Sequence, residues 1–296
     1  MHAVVSCAVC ALLSLAATSA TAGKLDLSTP EGANTALRKI QCSLKDRVPT
    51  TYYWAGNAFG RVPGEPDREL FRVEGMNIRQ CVTVDDPARG KGWRLITREL
   101  LIYFDSKTGE PLATWQNPYT GKTNTVVQTA NDPVNQPPSF PVRRDGSKVT
   151  WPGITNGDQW WMTITVPLFY DNPLQGEYQK YVGGKYHATE MFSFMGTVRD
   201  LVDDKNDIRE ARVGWVRIGG WLPWMEMGDR PGLMYVHAAG RKLDKFDDLS
   251  VALKAIIDTD FPAWREPPPA DDQRPNETSW TYFKRKVAPE SGKTSH

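Results

Sequence analysis

Four ionisable residues fall where strand alternation calls for apolar ones. Successive side chains of a strand point to opposite faces. Over 93–103 one face reads Trp93, Leu95, Thr97, Glu99, Leu101, Tyr103. Over 186–198 one face reads Tyr186, Ala188, Glu190, Phe192, Phe194, Val198. A third segment puts Arg217 between Trp215 and Trp221, and His237 shares a face with Leu233 and Tyr235. Burial raises a carboxyl pKa and a neighbouring guanidinium lowers it again. Such a set could transfer protons on a bound organic molecule. The expected roles are Glu190 as general acid or base, Glu99 as its partner, Arg217 as anion holder and His237 as a second proton-transfer group. The competing reading of each is a satisfied ion pair or a hydrogen-bonded core histidine.

These residues need walls and a frame. The stretch WVRIGGWLPWMEMGDRPGLMYVH, Trp215–His237, carries three Trp and three Met around a Pro-Gly turn. An unpaired charge in a plain core is costly, so Arg217 and Glu226 within it favour a pocket lining. Trp215, Trp221, Trp224, Met227 and Tyr103 are the expected ligand contacts. The segment Asn131-Asp132-Pro133-Val134-Asn135 is either a rigid turn or a loop at the cavity mouth, with Asn131 or Asp132 reaching inward.

The frame is β-rich. Segments of Val, Ile, Thr and aromatics separated by Gly, Pro, Asn and Asp run from Thr50 to Ala239, which is the pattern of strands and turns. The run 92–135 reads as a three-stranded meander with turns at Ser106–Gly109 and Asn117–Gly121. The expected fold class is mainly β (a β-rich α+β chain): an antiparallel meander forming a barrel or strongly curved sheet. One helix is expected near each end. The first starts at Ser28-Thr29-Pro30-Glu31 and runs to about Ser43; the second opens at Asp247 and runs to about Ile257. Residues 23–296 read as a single domain with a Pro-rich strap over about 266–296.

Residues 1–22 read as a secretory signal peptide: an apolar run, Ala3–Ala17, precedes the small-x-small ending Ala20-Thr21-Ala22. A periplasmic or secreted location follows, with no membrane span expected in the mature chain. The formal net charge is +1 with both signs interspersed, which argues against nucleic acid as a partner. The oligomeric state is left open. Cys42 and Cys81 remain after signal removal, as one disulfide or as two buried thiols. His187 and His237 lack metal-binding spacing, Asp203–Asp207 lacks the spacing of a calcium loop, and no phosphate-cradling or nucleophile-elbow motif occurs. No metal and no cofactor are expected. Asn276-Glu277-Thr278 fits a glycosylation sequon.

Several segments resemble the bacterial and fungal proteins that carry domain of unknown function 1838. These are Pro63-Gly64-Glu65, LFRVEGMN (70–77), the turn from Tyr103 to Gly109, WQNPYTG (115–121), NDPVN (131–135), and WLPWMEMGDRPG (221–232) with His237 and Gly240. The resemblance implies a shared fold unit over most of the mature chain and supplies no catalytic residues. Gln128 departs from it, since relatives often carry His there. The functional expectation is an exported protein whose aromatic cavity binds a small hydrophobic or aromatic molecule. Cofactor-independent acid–base catalysis of isomerase, lyase or hydrolase type is slightly favoured. The alternatives are a non-catalytic carrier and a glycan-binding surface module.

Overall fold

A computed structural model describes residues 23–170 and 186–287; residues 1–22, expected to be a signal peptide, lie outside the described residues. Helix α1 spans Pro30–Gln41. Thr29 caps it by accepting from Gly32 N, and Pro30 sits in the first turn, where its missing N–H costs nothing. It stops two residues short of Ser43. Cys42 is extended, and it is bonded to Cys81. Both cysteines are fully buried, and the bond between them selects the disulfide of the two readings.

Strands β1 Thr50–Arg61, β2 Arg68–Asp86, β3 Gly90–Phe104, β4 Thr114–Gln116, β5 Thr123–Thr125, β6 Thr129–Asn131, β7 Ile154–Asn156 and β8 Gln159–Tyr170 follow. Then come β9 Tyr186–Thr197, helix α2 Val198–Val202, β10 Ala211–Gly219, β11 Leu233–Leu243, helix α3 Val251–Asp260 and helix α4 Ser279–Val287. Nine strands form one antiparallel sheet in the order β6-β3-β2-β1-β11-β10-β9-β8-β7. The protein is mainly β, as its composition of strand formers requires. Among the described residues no ladder joins β6 to β7.

The meander over 92–135 is only partly realised. Both turns form, with Gly109 and Gly121 at positive φ, where a side chain would be strained. The return leg after the first turn bonds β3 only briefly, through Asp105 N to Glu110 O and Leu112 N to Tyr103 O. Pro111 has no N–H to continue the ladder. The chain then leaves β3; β4 pairs with β5 in a separate ribbon, and β6 comes back to β3.

Register assigns the faces. Glu99, Asn77, Tyr52, Lys242 and their neighbours at every second residue share an inner face with Trp54, Trp215, Arg217 and Glu190. Two apolar plugs flank its middle. At one end Ala36 and Ile40 of α1 pack with Tyr52, Trp160, Phe194 and Val213. At the other, the loop Trp221–Gly232 and α4, through Trp280 and Phe283, pack with Phe71, Tyr103 and Val236. The outer face of β2 and β3 is covered by α3 and the turn around Trp264, which bury Met76, Ile78, Leu100 and Ile102.

The C-terminal strap carries more structure than its prolines imply. Residues 266–275 run along the sheet, where Gln80 donates to Pro268 O and Arg94 to Asp272 O. They then lead into α4, whose aromatic positions Trp280 and Phe283 lie on one side at helical spacing. Asn276 of the sequon is tied at both ends of its amide to the backbone of Asn135.

Candidate functional site

Glu190 and Arg217 are directly opposed on β9 and β10, and Glu190 Oε1 lies 3.9 Å from Arg217 Nε. Trp215 and Phe192 pair one step along the same two strands. Trp54 of β1 meets Trp215 edge to face at 5.9 Å between ring centroids. On β3, Glu99 accepts from Asn131 Nδ2 at 2.7 Å, and β6 is held against β3 at that pair. Three of the four expected proton-handling residues therefore lie on one face.

Their electrostatics differ from those of surface carboxylates. Burial raises the Glu99 carboxyl, opposed by the Asn131 hydrogen bond and by Arg79 and Arg217. Burial also raises Glu190, the charge of Glu99 adds to it, Arg217 opposes it, and the group is pushed up to about 7. Both glutamates keep partial solvent contact although protein surrounds them. That combination sets both apart from the residues of a dry core. A carboxyl poised near neutrality is suited to giving and taking protons.

A cavity of about 560 Å³ lies at the adjoining strand ends, lined by Ala188 and Gly219 of the inner face, Thr189 and Ile218 of the outer face, and Trp221 and Trp280; Glu190 and Arg217 themselves do not line it. Ala188 and Gly219 are the next inner-face pair after Glu190 and Arg217. A Cβ at Gly219 would come within 2.8 Å of Ala188 Cβ and 3.2 Å of Arg217 Nη1, so the missing side chain leaves room for both.

The other expected residues divide. His237 keeps its place with Leu233 and Tyr235, but on the outer face and exposed, opposite Asn57 and Val216. Alternation was read correctly there and the side was not. Asp132 points away from Glu99 to an ion pair with Arg274, 2.9 Å, and to Arg98, 3.4 Å. Asn131 is the inward member of that turn. Trp224 is buried against Phe71, Tyr103 and Trp115. Met227 is buried with its sulfur on Asn117 Nδ2. Tyr103 is buried and shares a hydrogen bond with Thr129 Oγ1. These three build the plug. Trp221 is also buried, donates to Arg230 O, and borders the cavity. Gln128 clamps the end of β3 by accepting from Tyr103 N and donating to Leu112 O.

Sequence reading missed Trp54, Asn77 and Arg79. The signal was available, because Phe71, Val73, Gly75, Asn77, Arg79 and Cys81 alternate onto the same face. Gly75 is small because the Trp54 indole lies over it. Arg79 is buried, with its guanidinium 4.8 Å from the Tyr52 ring and bonded to Gln41 and Asn77. Among the described residues no three His, Cys, Asp or Glu side chains gather as a metal would require. No helix among them is long and apolar enough to cross a membrane.

No curated protein matches the chain. Residues 48–287, which include the whole inner face and both glutamates, match the family described as "Protein of unknown function (DUF1838)"; the chain belongs to that family.

Proposed function

We propose that this chain binds a small hydrophobic or aromatic molecule against the inner face of a strongly curved, barrel-like sheet. There it catalyses cofactor-independent proton transfer, of isomerase, lyase or hydrolase type. One observation carries the reading: the charge of Glu99 raises Glu190 although the two stand on strands five places apart in the sheet order. Flat strands would hold them roughly 24 Å apart at ~4.8 Å per strand, beyond the reach of a screened charge. The contact of Tyr52 with Phe194, 6.1 Å between rings on β1 and β9, supports the same curl.

The apolar run over 3–17 with its small-x-small ending supports export. The buried Cys42–Cys81 bond fits an oxidising compartment. Trp221 and Trp224 are 3 % exposed each, which weighs against a flat glycan-stacking surface. A non-catalytic carrier is the second reading, favoured by the fact that Glu190 faces Arg217 and Glu99 is bonded to Asn131. The test is intrinsic Trp fluorescence of the mature protein against small aromatic and terpenoid compounds, followed by mass-spectrometric turnover. Binding with turnover in wild type and none in Glu190→Gln supports the enzyme. Binding without turnover in either protein leaves the carrier.

A further inference from the structure

Asn77 stands directly opposite Glu99 on the inner face, with Tyr52 opposite it on its other side. Directly opposed side chains on neighbouring strands have Cβ atoms about 4.5–5.5 Å apart. Asn77 Oδ1 accepts from Arg79 Nε at 2.9 Å. A guanidinium has only donors, so the amide oxygen must face Arg79 and the NH2 group must turn away from it. Arg79 is itself fixed by Gln41 and the Tyr52 ring, which holds the orientation. Asn77 is half-buried, and its Nδ2 has no hydrogen-bond partner among the described residues. Asn131 donates to Glu99 Oε1, which leaves Oε2 as the oxygen to carry a proton.

We propose that Asn77 Nδ2 and the Glu99 carboxylic acid form a two-donor cradle for a carbonyl oxygen, so that the substrate is an enolisable carbonyl compound carrying an apolar ring. The proposal rests on Glu190 as the proton-transfer group. Glu190 as carboxylate takes a proton from the carbon beside the carbonyl. The C–H electron pair becomes a C=C bond, and the carbonyl π pair moves to oxygen. That oxygen is held by the two donors where its negative charge develops. Glu190 then returns the proton to a different carbon of the conjugated system, the electrons move back, and the product is an isomer. Atoms and charge balance with no co-reactant. Burial favours the protonated form of Glu99, which a donor needs; once Glu99 is neutral its charge no longer raises Glu190, which eases Glu190 into the carboxylate that the first step requires.

The test is equilibrium dialysis of the mature protein with 2-naphthol, whose oxygen resembles that of an enol, and with naphthalene, which lacks it. Wild type is expected to bind 2-naphthol about ten-fold more tightly than naphthalene, the worth of about 1.4 kcal/mol in hydrogen bonding. Asn77→Ala and Glu99→Ala are expected to lose most of that preference, and Glu99→Gln, which keeps a donor, to retain it. Equal binding of the two compounds by wild type overturns the cradle and leaves the pocket standing, with no variant needed. An undiminished preference in Asn77→Ala, with its melting transition intact, also overturns it. Binding of neither compound overturns the pocket reading, and the cradle with it.

Discussion

Arg217 and Glu190 face each other across β10 and β9 at 3.9 Å, yet the carboxyl is held up near 7 rather than pulled down. Burial and the second glutamate outweigh the guanidinium. A pair built purely for stability would approach more closely and lower the carboxyl pKa.

The stability of the protein should therefore fall as pH rises through this carboxyl's range. Between 4.5, its ordinary value, and about 7 the unfolded chain has lost the Glu190 proton while the native state keeps it. The unfolded state binds fewer protons there, so unfolding becomes easier with rising pH. The full effect is about 3 kcal/mol at ~1.4 kcal/mol per unit. Urea unfolding of Glu190→Gln against wild type at pH 5 and pH 8 should show the difference at the higher pH. An identical pH profile for the two proteins would remove Glu190 from the inner wall.

Trp224→Ala should act on stability first. Its indole is packed on Phe71, Tyr103 and Trp115, and deleting a buried Trp costs about 3–5 kcal/mol. A drop in the denaturant midpoint of that size is expected. A fully stable variant with altered ligand affinity would make Trp224 a ligand contact after all.

His237→Ala should change little. The side chain is exposed on the outer face, where substitutions typically stay within about 0.5 kcal/mol. Ligand affinity and turnover should match wild type, and a large loss of either would contradict the assignment of faces.

Reducing Cys42–Cys81 should lower stability by roughly 3–4 kcal/mol, the loop-closure value for a bond spanning 39 residues. Both sulfurs are fully buried. Thiol labelling after mild reductant should remain low in the native protein and appear only when urea is added. Rapid labelling without urea would mean that α1 is not held to β2 as described.

Much of the frame was legible because it depends on local patterns. Thr29 and Pro30 start α1, Gly109 and Gly121 close their turns, and alternation put Glu99, Glu190 and Arg217 among apolar neighbours. What alternation cannot supply is which of two faces turns inward. That is set by the order β1-β11-β10, a long-range pairing, and His237 went to the wrong side for that reason. Asp132 was ambiguous on the same ground, since its partner Arg274 lies 142 residues away. Density of Trp and Met marked the loop Trp221–Gly232 as important. It did not separate a ligand wall from the packed plug that Trp224 and Met227 form. Helix α4 was hidden by the prolines ahead of it, and Asn77 by its lack of charge, since its pairing with Glu99 across β2 and β3 is what marks it.

The nine-stranded sheet ends on β6 and β7, each three residues long, beside central strands of up to nineteen. An exposed edge is a template on which a second chain can add a strand, and its hazard grows with its length. β7 pairs only with Gln159, Trp160 and Trp161, so the outward edge of β8 beyond them has no ladder partner among the described residues. At β6 the neighbouring Glu277 N bonds Pro133 O and closes off the approach. The two margins thus differ, and a second chain adding a strand at high concentration should be recruited along β8 rather than at β6.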